Sequence, residues 1–292
     1  MSIKGDVVSK GGRKTIVSDV RMARPIIYRV KSIKKNITLQ RSEIFDIGGV
    51  EITFPTPNNV ALFANIANRE RQQAKNIYSS LISKSVKSNK DIDIKNEDVK
   101  RLYNYLEHIQ TSIISIYTAI ESFANIAIPN DYEYSFKNNK GITESYDKSA
   151  IERWLKTSEK IAKLLPIILA TNSPKELPAW SLFKELENIR NDIVHQKSEK
   201  VEVADDKDGK PDVSRDINSR FIGRLLKPNI FEIIESGFDL IRFFCEKDIH
   251  HSFFPMGFSI AELKPIEIDD FGDQFTLYRS AEEKKAKFDS QK

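Results

Sequence analysis

Arg190 and His195 are the two residues of this chain whose types and spacing best suit chemistry on a phosphodiester. They bracket the segment 190–195, at the C-terminal end of an apolar-periodic helix that we predict over about residues 179–195. The arginine is a permanent cation whose rigid fork of donors fits phosphate oxygens. The histidine exchanges protons near neutral pH. Together they are a minimal set of groups for cutting RNA.

The chemistry that these residues suit is RNA cleavage without a metal ion, by attack of a ribose 2′-hydroxyl on the neighbouring phosphorus. That reaction needs a base for the 2′ proton, an acid for the leaving 5′ oxygen, and positive charge against the phosphorane-like transition state. His195 is the candidate for proton transfer and Arg190 for charge stabilisation. Asn191 follows the cation directly and is the candidate for orienting it or for binding a phosphate oxygen.

The spacing of the pair sets a geometric condition on this chemistry. Five positions along an α-helix turn through about 500°, so Arg190 and His195 lie about 140° apart and do not share a face. They converge if the helix unwinds near His195, or if a second copy of the chain supplies the partner residue across a two-fold axis. A purely structural alternative stays open, because Arg and His near a helix C-terminus also cap free carbonyls and interact favourably with the helix dipole.

The segment 190–195 resembles the signature of HEPN (higher eukaryotes and prokaryotes nucleotide-binding) domains. In that pattern an Arg is followed by about four to six residues and then a His, and a polar residue often follows the Arg. The earlier segment 117–125 is similar to the long helix of the same family, in which a Glu and an Asn often face the site. Glu121 and Asn125 match these two and share a helix face at the i, i+4 spacing. The resemblance covers about residues 60–247.

The resemblance implies a fold, an activity and a set of site residues. It implies an all-helical bundle, a homodimer formed along the motif helices, and metal-independent RNA cleavage at the dimer cleft. The implied catalytic residues are Arg190 and His195 with the help of Asn191, and the supporting residues are Glu121, Asn125 and Asp192.

The resemblance also implies a biological setting. Many family members are toxins or effectors of bacterial antiphage and abortive-infection systems, so we expect RNA, a second copy of the chain and an antitoxin or defence-system protein as partners. Family toxins that are paired with a nucleotidyltransferase antitoxin carry a Tyr two residues after the His, where this chain has Lys197. Control by nucleotide transfer to that Tyr is therefore not supported. The alternative is an inactive HEPN-like dimeric module that binds RNA, nucleotide or a partner protein.

The elements that must position the motif are mainly helical. We expect a mainly α fold, with a HEPN-like helical bundle over residues 56–250. A basic arm and a β-hairpin section occupy residues 1–55, and a C-terminal extension with a charged tail occupies residues 251–292. Within the bundle, an apolar stripe predicts a long helix over about 96–128, and residues 130–147 are predicted to be a loop. A helix is predicted from about 148 to 165, where Pro166 should end or kink it.

Composition narrows the classes of function. The single cysteine, Cys245, excludes an internal disulfide and any multi-cysteine metal site, and we expect neither a metal ion nor a cofactor. No apolar run approaches the length of a membrane span, so we expect a cytoplasmic protein with no membrane partner. The net charge is +4, but residues 1–41 hold 11 Lys/Arg and 2 Asp/Glu, so that this segment alone carries +9. A basic segment of this kind can follow nucleic-acid phosphates or can be a solvated arm.

Overall fold

The computed structural model describes residues 19–88, 90–137, 139–195, 221–246, 254–258 and 265–270. The chain is mainly helical with a few small sheets. Its contacts divide it into a helical unit, Asn58–Lys247, and a second unit formed by Met1–Pro57 together with Asp248–Lys292. Most of the predicted basic arm and the predicted charged tail lie outside the described residues.

The described part of the second unit contains five short strands. A three-stranded sheet has the order β2-β1-β7, with β1 (Ile26–Val30) antiparallel to β2 (Lys35–Leu39) and parallel to β7 (Ile266–Ile268). A separate hairpin pairs β3 (Ser42–Ile47) with β4 (Val50–Pro55), and Gly48 and Gly49 adopt positive φ angles in its turn. The β-hairpin that the sequence predicts within residues 1–55 is thus confirmed. The pairing of β1 with β7 brings together residues of the sections 1–55 and 251–292, which the sequence analysis treats as separate.

The helical unit is built on long helices that pack along one another. In the described residues the α-helices are α1 (Asn59–Leu81), α2 (Ser83–Ser88), α3 (Glu97–Ala127), α4 (Lys148–Trp154), α5 (Thr157–Glu159), α6 (Leu165–Ile168), α7 (Pro178–Val194), α8 (Phe221–Leu225) and α9 (Ile230–Cys245). The longest two of these, α1 and α3, run side by side, and both α7 and α9 pack against α3. None of the helices in the described ranges is long and apolar enough to cross a membrane.

Local sequence signals explain where the long helices begin and what they bury. Asn58 precedes α1, and its side-chain oxygen accepts a hydrogen bond from the Ala61 backbone N–H at 3.0 Å, which satisfies one of the free donors of the first turn. The apolar residues of α3 recur every three or four positions and therefore form one stripe. That stripe is buried in the core and includes Ile109, Ile113, Ile116, Ile120 and Phe123. It fixes the face that α3 turns toward α1, α7 and α9.

Gly237 lies where α9 approaches α3. A Cβ atom on this residue would lie 2.6 Å from Ile116 Cγ1 and 3.1 Å from Ile120 Cδ1, inside a packed core. We therefore expect Gly237→Val to lower the free energy of unfolding by about 1–3 kcal/mol through overpacking. Urea unfolding measures this, with Glu232→Val on the exposed face of the same helix as the control. Equal stabilities of the two variants would contradict the close approach.

The predicted loop over residues 130–147 is wrong, because the segment contains a hairpin. The strands β5 (Tyr134–Lys137) and β6 (Thr143–Tyr146) pair antiparallel. Their aromatic side chains alternate along the strands and lie against one another, with ring centroids 5.5 Å apart for Tyr134 and Phe136 and 5.0 Å apart for Phe136 and Tyr146. These cross-strand and same-face contacts stabilise the two strands. The polar composition of the segment does not predict them.

The predicted continuous helix over residues 148–165 is also wrong. Its first part, α4, ends at Trp154, and both Leu155 and Lys156 have extended backbones before α5 begins. A π-helical turn, Lys160–Leu164, then leads into α6. Pro166 lies in the first turn of α6, directly after this π-helical turn, and the helix continues through it to Ile168, so Pro166 does not itself end the segment. The break at 155–156 matters because it opens beside the motif helix.

Candidate functional site

The motif helix forms one wall of an open cleft of about 450 Å³. Arg190 and Asn191 line this cleft together with other residues of α7. A second wall comes from α3, through Tyr117 and Glu121. The third comes from residues 152–157, at the break between α4 and α5. We call this space the Arg190 cleft.

Arg190 is held in place by a ring and an amide. Its guanidinium carbon lies 4.8 Å from the centroid of the Tyr117 ring, in a cation–π contact. Its Nη1 donates a hydrogen bond to Asn191 Oδ1 at 3.0 Å. Asn191 thus contacts the cation, as the sequence predicts. Within the described residues these partners are neutral, and no carboxylate forms an ion pair with Arg190.

Tyr117 is held through its hydroxyl by a buried carboxylate. Its hydroxyl donates a hydrogen bond to Glu187 Oε1 at 3.0 Å, and Glu187 is also paired with Lys184. Burial raises the pKa of the Tyr117 phenol well above its usual range, so the hydroxyl stays protonated and remains a donor at neutral pH. Lys184, Glu187 and Tyr117 form a chain of contacts that supports the surface on which Arg190 lies.

Sequence reasoning missed Glu187 and assigned no role to Tyr117. Glu187 precedes Arg190 by three positions and therefore lies on the same side of α7. Tyr117 precedes Glu121 by four positions on α3 and shares its face in the same way. The helical spacing could therefore have indicated both residues, because each lies one turn away from a predicted site residue. That they contact each other across two helices was not readable from spacing.

His195 is placed differently from Arg190. Its backbone N–H donates to the Asn191 carbonyl oxygen at 2.9 Å, so α7 keeps its helical path up to this residue and does not unwind before it. His195 is exposed and is not part of the lining of the Arg190 cleft. α7 ends at Val194, and His195, the C-cap residue, has non-helical backbone angles (φ −116°, ψ 54°). The structure thus brings Asn191 to Arg190 but does not bring His195 into the Arg190 cleft.

The three supporting residues predicted from the sequence are divided by the structure. Glu121 lines the Arg190 cleft. Asn125, one turn further along α3, does not, because its Oδ1 accepts a hydrogen bond from the buried Lys160 Nζ at 2.8 Å. Asp192 is turned away as well and pairs with Arg224 of α8. Glu121 and Asn125 are one turn apart on α3, but the first lies at the cleft and the second is bonded to Lys160.

Lys160 is a buried cation that secures the wall of the cleft. Its Nζ donates both to Asn125 and to the Glu152 carbonyl oxygen, each at 2.8 Å. Burial lowers the pKa of Lys160, and the negative charges of Glu121 and Glu152 oppose that shift. Since Lys160 begins the π-helical turn, these bonds tie that turn both to α3 and to the end of α4.

Among the residues that the structure describes, His, Cys, Asp and Glu form no group of three or more that could hold a metal ion. Comparisons of this chain with protein-family models, with curated proteins and with solved structures find no match.

Proposed function

We propose that this chain is a metal-independent endoribonuclease of the HEPN type, which cuts RNA by 2′-hydroxyl attack at a site shared by two copies. Arg190 stabilises the charge that develops on the phosphate, His195 transfers protons, and Asn191 orients the guanidinium. The protein acts in the cytoplasm as a toxin or an antiphage-defence effector, with an antitoxin or a defence-system protein as a further partner.

The observation that carries this proposal is the environment of Arg190. An arginine that serves only as a helix cap would bond the last carbonyls of α7, and one that serves only stability would pair with a carboxylate. In the described part of the chain Arg190 does neither, and instead stacks on Tyr117 at the wall of an open cleft. Its guanidinium keeps donors for a phosphate, and the buried ring beneath it restricts its motion.

A second copy of the chain completes the chemistry in this proposal. His195 ends α7 in an exposed position outside the Arg190 cleft. A two-fold axis that packs two α7 helices together would bring His195 of one copy toward Arg190 of the other. The active unit is therefore a homodimer, and each of its two sites takes its cation and its proton-transfer group from different chains.

The alternative function is a HEPN-like module without catalysis, which binds RNA, nucleotide or a partner protein. One observation favours it, namely that His195 and Arg190 do not meet within one chain. The module would still use the Arg190 cleft to bind phosphate. The measurable difference from the enzyme is that the module binds RNA and leaves the strand intact.

The nature of the products tests the proposed reaction. With EDTA present, the purified protein is expected to cut single-stranded RNA and to leave 2′,3′-cyclic or 3′ phosphate ends. The same RNA with 2′-O-methyl groups throughout should resist cleavage, because it lacks the attacking hydroxyl. Mass spectrometry of the fragments identifies the ends. Cleavage of the 2′-O-methyl strand, or products with 5′ phosphates, would exclude this reaction, and binding without cleavage would favour the module.

A further inference from the structure

A second cleft adjoins the Arg190 cleft. It has a volume of about 420 Å³ and lies against the hairpin β5–β6, with Tyr134, Phe136 and Lys137 on one side and Glu159 and Lys163 on the other. Leu155 belongs to the linings of both clefts. The two clefts therefore share a lining residue at the break between α4 and α5, and we call the second one the hairpin cleft.

The hairpin cleft combines aromatic faces with cations. The rings of Tyr134 and Phe136 are stacked, with an angle of 22° between their planes, and both side chains are half-buried, so each remains partly open. Lys137 is exposed beside them. Lys163 is also exposed and pairs with Glu159 at 2.7 Å. Aromatic faces next to lysines are typical of grooves that bind single-stranded nucleic acid, because bases stack on the rings and phosphates approach the cations.

Trp154 directly precedes Leu155, the residue that lines both clefts. It ends α4, lines the Arg190 cleft and is 65% exposed, so it adds little to the hydrophobic core. The Arg153 guanidinium carbon lies 4.8 Å from the centroid of its ring. Lys156, two residues on, adds another exposed cation to the same wall. A large exposed ring with cations around it is a platform on which a base can stack.

We propose that one strand of RNA runs through both clefts. The phosphate to be cut lies at Arg190, a neighbouring base stacks on Trp154, and the strand continues past Leu155 to the rings of the β5–β6 hairpin. This inference rests on the proposed function, since it assigns the substrate path of the same site. It makes single-stranded RNA the preferred ligand, because the bases of a duplex are not free to stack on side chains.

RNA binding, measured apart from cleavage, tests this path. The assay is fluorescence anisotropy of a labelled single-stranded RNA, with every variant made in the His195→Ala background. Trp154→Ala is expected to raise the Kd about ten-fold, and Trp154→Phe should recover most of the affinity because it restores a ring. Lys137→Ala should raise the Kd about three-fold and flatten the salt dependence, while Lys175→Ala, an exposed lysine that lines neither cleft, should change nothing.

The outcomes separate this inference from the proposed function. Unchanged Kd values for both Trp154→Ala and Lys137→Ala would overturn the path, even if the parent protein cuts RNA. Tighter binding of duplex than of single strands, or no RNA binding at all, would overturn it as well. Weakened binding in both variants of a protein that never cuts RNA would keep the path and reject the nuclease.

Discussion

Replacing His195 with alanine is expected to lower the rate of RNA cleavage by about 10²- to 10⁴-fold, the range that a general acid or base contributes. His195 is exposed at the end of α7, so the free energy of unfolding should change by no more than about 0.5 kcal/mol. Single-turnover cleavage at saturating protein gives the rate, and urea unfolding gives the stability.

Ser181→Ala is the matched control for His195→Ala, because Ser181 is exposed on the same helix and lies away from the cleft lining. It should cut RNA as the parent does. The same comparison can be made in growing bacteria, where induced expression of the parent should arrest growth and that of His195→Ala should not. If His195→Ala cuts RNA at the parent rate, the assignment of His195 is wrong.

Replacing Arg190 with alanine is expected to lower cleavage by about 10²- to 10³-fold, because the charge that develops on the phosphate loses its preorganised donor. Arg190→Lys keeps the positive charge but loses the planar fork and much of the contact with the Tyr117 ring. It should therefore recover only part of the rate and remain about ten-fold below the parent. Single-turnover rates of the three proteins on one RNA measure this order.

The order of the Arg190 variants also distinguishes catalysis from structure. If Arg190 only stabilised the fold, both variants would lower the free energy of unfolding and leave the rate per folded molecule unchanged. If charge alone mattered, Arg190→Lys would match the parent. Either result would contradict the role that its stacked and bonded position supports.

Elements with strong local signals were predictable from the sequence. The helix α1 begins at its Asn58 cap, the apolar stripe defines α3, and the β3–β4 turn follows from its two glycines. The β5–β6 hairpin was missed because its short strands are held by aromatic contacts with each other, and residues 130–147 look like a polar loop. The break at 155–156 was missed because the apolar pattern continues through it and only tertiary contacts show the change.

The site was predictable at its centre and not in its surroundings. Local sequence placed Arg190 and Asn191 together, and the helical period placed His195 on another face. The partners of Arg190 were not predictable, because Tyr117 comes from another helix and is fixed by the buried Glu187. Asn125 was predicted to face the site, but its side chain accepts a hydrogen bond from the buried Lys160. Spacing along one helix does not reveal a partner from another segment.

The central claim is that Arg190 and His195 act together across two copies of the chain, and mixed dimers test it most directly. Arg190→Ala and His195→Ala chains with different tags are expressed together, and the mixed dimer is isolated by both tags in turn. It holds one intact pair out of two, so it should cut RNA at about half the parent rate, although each variant alone is slower by about 10²-fold or more. A mixed dimer that forms and stays as inactive as the single variants would contradict the shared site.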